Sequence, residues 1–309
     1  ALPTVENSSI KLDLHRRDFT INTMALRLNG RHHGELYDFW GGLTDLRQKR
    51  IRVLHSLSFV DDPTRMLRAA RFEQRFQFHI EARTLELIKE AHDLMRQVSG
   101  DRIRHEFHLI FQERSPLAVF HRLEELILFD AIVPGFHWGK DQNSDWKSLF
   151  ENGSTHLESL HQPVYLWLIL FHRMNEEQRK TAIDRLKLPS GMISVLNSAV
   201  ELTNHLAALP GIPIPEAVKI LDAIPEEAVN AILAFESASP GAEIIRQYRK
   251  KWQHIKPKIT GRNLEKLGVP RGPIYRTILD ALRAELLAGR ITSLNDEERF
   301  VNDLINRYK

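Results

Sequence analysis

Residues 61–72 read DDPTRMLRAARF, and their spacing decides how the rest of the chain is read. Asp62, Arg65, Arg68 and Arg71 recur at three-residue intervals. On a helix the three arginines fall within an arc of roughly 120°, with Met66, Leu67, Ala69 and Ala70 filling most of the remaining circumference. One face packs and the other presents guanidinium groups. Clustered guanidinium groups repel one another unless an anion sits opposite them. A triphosphate suits them, because the planar fork bonds phosphate oxygens two at a time. The alternative is a solvated face whose arginines pair with acids elsewhere in the fold.

Upstream, residues 16–25 read RRDFTINTMA. The near-alternating SIKLDLH before them, residues 9–15, predicts a short strand with Leu12 and Leu14 inward and Lys11, Asp13 and His15 on the other face. Asp18 is placed to cap a helix from Phe19 to Leu28. Between the two clusters, residues 34–54 predict a strand, a Gly-Gly break, a short helix and a second strand.

Taken in order, these pieces resemble the nucleotidyltransferase family of bacterial CCA-adding enzymes, A-adding enzymes and poly(A) polymerases, in its class II form. The family's second motif is matched by Arg16–Ala25. Its D-x-x-G-G-x-x-D-L segment is matched by Asp38, Gly41, Gly42, Asp45 and Leu46. Its nucleotide-selecting helix is matched by Asp61, Asp62 and Arg65. The resemblance also implies an upstream metal-binding D-x-D behind a Gly-rich segment, and neither stands here. The chain therefore reads as a fragment and is expected to be inactive or nearly so by itself.

The 309 residues can bury a sizeable core and form more than one domain. Cysteine is absent, which excludes disulfides and thiol chemistry and, with the resemblance, points to a cytoplasmic protein. No stretch has the length and freedom from charge of a membrane span. The net charge of +3 is unevenly spread: residues 1–75 hold 13 Lys and Arg against 9 Asp and Glu, residues 76–240 hold 15 against 23, and residues 241–309 hold 15 against 8. Two basic ends on an acidic spacer suit a protein that grips a polyanion at two places.

Beyond residue 76 the periodicity is helical almost throughout. Helices are expected over 83–98, from a cap at Asp101 onward, and over 117–128, 163–174, 176–186, 193–209, 215–223 and 226–236. A turn is expected at 189–191, with joints at 134–154 and 209–215. The pairs Asp141–Asp145 and Asp296–Glu298 read as solvated loops. The last segment predicts a short helix from Thr260 to Gly268, a turn, and a longer helix to about Ala288 with Gly289 as its stop. Arg262, Lys266, Arg271 and Arg276 surround this turn and can meet a phosphate backbone. In the family such a tail meets the acceptor side of tRNA; the alternative is a hairpin with solvated charges. The 15 histidines lack metal-site spacing, and Arg173 follows His172 where a His-Asp phosphohydrolase would need Asp.

The expected fold class is mainly α: the C-terminal part of an α/β, polymerase β-like head over 1–55, a neck over 56–130, a helical body over 131–256 and an RNA-binding tail over 257–309. The expected activity is template-independent addition of A and/or C, from ATP or CTP, to the 3′ end of tRNA. Poly(A) polymerase activity, or a non-catalytic RNA- or nucleotide-binding module, is the alternative. The resemblance implies two Mg2+ ions, with Asp13 as one catalytic and metal-binding carboxylate; Asp13 reads equally as a strand-end acid paired with Arg16. It also implies that Arg17 contacts phosphate, Asp18 the ribose, and Asp62 and Arg65 the base. Arg68 and Arg71 would hold phosphates or buttress the base-reading pair. No protein partner is indicated.

Overall fold

The computed structural model describes residues 9–150 and 163–308. Packing divides the chain into two compact units, Ala1–Trp146 with Thr155–Ser190, and Lys147–Ser154 with Gly191–Lys309.

The described residues are mainly helical, with four two-residue strands. In the first unit α1 (Ile10–His15) leads to a hairpin of β1 (Ala25–Leu26) and β2 (Leu36–Tyr37), paired antiparallel. Then come α2 (Gly42–Arg47), β3 (Arg50–Ile51), α3 (Ser58–Asp61) and α4 (Arg65–Phe76). β4 (His79–Ile80) pairs parallel with β3. Helices α5 (Ala82–Ala91), α6 (Gly100–Phe111), α7 (Pro116–Glu125), α8 (Leu128–Ile132), α9 (Lys140–Phe150), α10 (Pro163–His172) and α11 (Glu176–Leu186) follow. Phe107, Phe111, Phe120, Phe129, Trp138 and Trp167 stack into one aromatic core under them.

The second unit carries α12 (Ser190–His205), α13 (Ile214–Asp222), α14 (Glu226–Phe235), α15 (Pro240–Lys250), α16 (Gly261–Lys266), α17 (Pro273–Leu287) and α18 (Leu294–Tyr308). Its last three helices close over their own core of Ile259, Leu264, Val269, Ile278, Leu282, Ile291, Val301 and Ile305. The predicted short helix, turn and long helix are present, with Gly268 and Gly289 in the left-handed conformation that ends each one.

Several local expectations are corrected. Residues 9–15 form a helix, not a strand: Ser9 Oγ accepts from the Leu12 amide, and of the two alternating leucines only Leu14 is buried. Asp18 caps no long helix. Its Oδ1 accepts from the Phe19 amide and Asn22, and Thr23 Oγ1 bonds the Thr20 carbonyl, closing a single 3-10 turn before β1. Residues 61–72 are not one helix, because Asp62, forced extended by Pro63, separates α3 from α4. The helix expected over 83–98 passes into a 3-10 segment at His92. Ser99, not Asp101, precedes α6, and Asp101 instead bonds Arg104 at 2.6 Å.

The helix expected over 117–128 breaks at Ile127, which adopts φ 58°. The turn at 189–191 is already the start of α12. The joint at 134–154 contains α9, and its last four residues lie outside the described ones. Nor are the two acidic pairs solvated loops. Asp145 is buried on α9 under a two-point bond from Arg173, at 2.8 and 3.0 Å. Glu297 is buried in the first turn of α18, accepting from the Lys258 and Ile259 amides. Helices α15 and α18 have no counterpart in the sequence reading.

Candidate functional site

Met66, Leu67, Ala69 and Ala70 are fully buried, so they fix how α4 lies and which of its faces stays open. The open face carries Arg65 and Arg68. Arg65 donates through Nη1 to Ser58 Oγ at 2.7 Å and through Nη2 to the Arg16 carbonyl at 2.8 Å. The base-reading candidate is thus clamped between α3 and the segment after α1. Arg68 pairs with Asp18 at 2.5 Å.

Asp62 stands in the break before α4. Its Oδ1 accepts from the Thr64 amide at 3.0 Å and the Thr64 hydroxyl at 2.6 Å, and pairs with Arg102 of α6 at 2.6 Å. Its side chain remains 24% exposed, so one edge faces solvent.

Arg71 points the other way. It is 5% exposed and pairs with Glu106 at 3.4 Å and Glu113 at 3.2 Å. Burial pushes the Glu106 carboxyl above its ordinary range, and Arg71 and Arg68 only partly offset this. A phosphate at Arg71 would have to displace both acids. On the next turn Glu73 accepts from the Ile80 amide and from Arg122, locking α4 to β4 and α7.

The D-x-x-G-G-x-x-D-L segment holds this frame together. Asp38 accepts from the Gly42 and Leu43 amides, at 2.7 and 2.9 Å. Burial acts to raise its carboxyl, but the amides of Leu43, Gly42, Trp40 and Gly41 outweigh that and lower it. Gly42 has no alternative: a Cβ there would lie 2.3 Å from the Thr20 carbonyl oxygen. Buried Asp45 collects Thr20 Oγ1 and Arg52, at 2.6 and 2.8 Å.

The remaining candidates divide. Asp18 is 5% exposed; its Oδ1 accepts from the Phe19 amide and Asn22, while its Oδ2 has no hydrogen-bond partner and faces only the Arg68 charge, with which a ribose hydroxyl would have to share it. Arg17 is exposed, 3.9 Å from Asp13. Asp13 is exposed on α1 and bonded to Arg16 at 3.0 Å. No group of three or more His, Cys, Asp or Glu among the described residues is arranged to hold a metal ion. Asp13, shared by two arginines, does not fit that task as placed. In the second unit Arg262, Lys266, Arg271 and Arg276 are all exposed; Arg271 pairs with Glu265 at 2.6 Å, and Arg276 lies 3.6 Å from Asp280.

The sequence reading missed Arg102, Glu106, Glu113 and Ser58. Glu106 left a signal: it interrupts the apolar face of Ile103, Phe107 and Ile110 on α6. The other three lie at ordinary polar positions, and only the fold reveals them.

The comparisons agree with this frame. The poly A polymerase head domain matches residues 2–52, and a second family, the probable RNA and SrmB-binding site of polymerase A, matches residues 77–138. A helical chain that matches a polymerase head domain and a polymerase RNA-binding region defines a nucleotidyltransferase class. The A-adding tRNA nucleotidyltransferase of Geobacter sulfurreducens is 33% identical over 97% of this chain, which spans 36% of that protein. The enzyme of the same name from Halalkalibacterium halodurans is 30% identical over 99% of the chain, spanning 71% of its length. A CCA-adding enzyme solved with ATP superposes with TM-score 0.76 at 31% identity, covering 96% of this chain and 71% of that one. The Thermotoga maritima CCA-adding enzyme bound to tRNA gives 0.74 at 30% identity, covering 97% and 74%. The chain belongs to the tRNA nucleotidyltransferase family. No helix among the described residues is long and apolar enough to cross a membrane.

Proposed function

We propose that this chain is the nucleotide-selecting and RNA-holding part of a template-independent tRNA nucleotidyltransferase, which adds A and/or C from ATP or CTP to the tRNA 3′ end. The observation that carries the reading is the fixed pair Asp62 and Arg65. One offers a carboxylate edge and the other a guanidinium edge, each immobilised by neighbours rather than left to search. Such edges can match the hydrogen-bonding face of a base without a nucleic-acid template. Arg68 and Arg17 supply positive charge nearby for a triphosphate. The tail cations contribute a second, sequence-independent grip on RNA phosphates.

Nucleotidyl transfer in this family rests on divalent ions, which neutralise phosphate charge and activate the attacking hydroxyl. Mg2+ is the proposed ion. The described residues do not supply its site, and no step is assigned through it. What these residues do is select the base, hold the helix that selects it, and bind RNA.

A tRNA extension assay with each of the four triphosphates in turn, beside direct binding of the same tRNAs, tests the reading. Selective incorporation of A or C supports it. Long adenylate runs favour the poly(A) polymerase alternative. RNA binding without extension favours the non-catalytic module.

A further inference from the structure

Five aromatic rings form an unbroken row in the first unit. His55 stacks on His15, with centroids 5.2 Å and planes 12° apart. His15 lies 5.5 Å from Trp40, which meets Phe39 edge-on at 5.5 Å. Phe39 in turn stacks on Tyr37 at 5.9 Å. None of the five is buried: His15 and Phe39 are exposed and the other three half-buried. The Lys11 ammonium stands 5.6 Å from the centre of the Phe39 ring.

Rings left wet in a continuous row leave apolar area unburied, and such surfaces mark binding sites. The charges around this row say what it binds. Arg16 and Arg17 follow His15 directly, with side chains 71% and 54% exposed, and share the single acid Asp13. Lys11 has no ion-pair partner among the described residues. Asp61, 3.6 Å from His55, is the acid at the far end, whereas Asp38 is spent on backbone amides. Exposed rings flanked by exposed cations are the chemistry that holds single-stranded nucleic acid. Every base has a π-face to stack, and the cations follow the phosphates. The row also ends beside the candidate site. His55 approaches Asp61, the neighbour of Asp62, and His15 precedes Arg16, whose carbonyl clamps Arg65.

We propose that the row Tyr37, Phe39, Trp40, His15 and His55 is a stacking platform that leads the single-stranded 3′ end of an RNA toward Asp62 and Arg65. This rests on the transferase reading above, and its test separates the two.

The 309-residue chain is titrated with two labelled RNAs: a tRNA with its unpaired 3′ nucleotides through CC, and the same tRNA trimmed to its last base pair. The parent is expected to prefer the tailed RNA. Trp40→Ala and His15→Ala should each cut that preference about five-fold or more, leaving the trimmed RNA bound as before. Trp40→Phe, which keeps a ring, should retain most of the preference while losing part of the tryptophan quenching caused by the tailed RNA. If Trp40→Ala loses its helical circular dichroism, His15→Ala, with its exposed ring, carries the test. A parent without preference, or a preference unmoved by the variants, overturns the platform. So does self-association of the parent that Trp40→Ala abolishes, because the rings would then face a second copy. With the substitution carried in the complete enzyme, normal nucleotide selection with an unchanged KM for tRNA in Trp40→Ala sinks the platform alone. A Trp40-dependent preference in a chain that binds none of the four triphosphates sinks the transferase reading alone.

Discussion

Arg71 and Glu106 face each other across α4 and α6 at 3.4 Å, each with only 6% of its side chain exposed. An ion pair so enclosed has given up its hydration, so each partner depends on the other for compensation. Arg71→Ala leaves buried Glu106 without its ion-pair partner, while Glu113 keeps Arg75 at 3.6 Å. Stability is expected to drop by about 3–5 kcal/mol, read from the midpoint of urea unfolding. A change under about 1 kcal/mol would show that the acids escape to water, and α4 would not be anchored as described.

The same pair predicts a pH dependence. Burial holds the Glu106 carboxyl above its ordinary 4.5, against the pull of Arg71 and Arg68. The folded chain therefore binds that proton more tightly than the unfolded chain does. Its contribution to stability is complete below pH 4.5 and is lost as pH rises through the folded value. Relative to Glu106→Gln, the parent should lose stability as pH climbs above about 4.5. A relative gain over that range would reverse the assignment.

At the proposed selecting pair, Asp62→Ala or Arg65→Ala in the complete enzyme should relax the choice among ATP, CTP, GTP and UTP more than it weakens RNA binding. Each lost base contact is expected to cost about 1–3 kcal/mol of discrimination. Competition between triphosphates measures this, and unchanged preferences in both variants would remove the two residues from the role.

Replacing Arg262, Lys266, Arg271 and Arg276 together with Ala should weaken tRNA binding. It should also flatten the dependence of log affinity on log salt by up to about one unit per lost phosphate contact. Arg271 is expected to contribute less than Lys266, since Glu265 already neutralises it at 2.6 Å. Identical affinity and slope in the fourfold variant would make the tail a structural appendage.

Ile127 is a β-branched residue at φ 58° whose side chain is 55% exposed, so it bears backbone strain with little burial in return. Ile127→Asn, which tolerates that conformation, should stabilise the protein by about 1 kcal/mol and raise the Tm by a few degrees. A fall in Tm would mean that the isoleucine packs more usefully than its exposure indicates.

Much of this frame was legible in the chain itself. The helix that carries Arg65 and Arg68 on its open face, the Gly41–Gly42 break and the capped helices of the tail follow from local rules and stand where those rules put them, whereas Arg71, expected on the same open face, is buried against α6. What failed were segments whose local and tertiary signals compete. Residues 9–15 alternate like a strand, yet a serine cap and one buried leucine suffice for a helix. Residues 19–28 are periodic, yet threonine hydroxyls and the Asp45 carboxylate claim the turn. Asp145 and Glu297 look like solvent-facing acids because their partners, Arg173 and the 258–259 backbone, lie 28 and 38 or 39 residues away. Sequence pattern carries no record of such distant partners.

Arg65 is gripped by an oxygen of the main chain at Arg16, not by the side chain there. Every amino acid carries that oxygen. Swapping the side chain at position 16 therefore leaves this hold on the selecting arginine in place, whereas displacing the peptide by a fraction of an ångström does not. Fidelity in such a site is written partly in backbone position. Under the role proposed for Arg65, a change several residues away in α1 alters which nucleotide is accepted while touching neither the nucleotide nor Arg65.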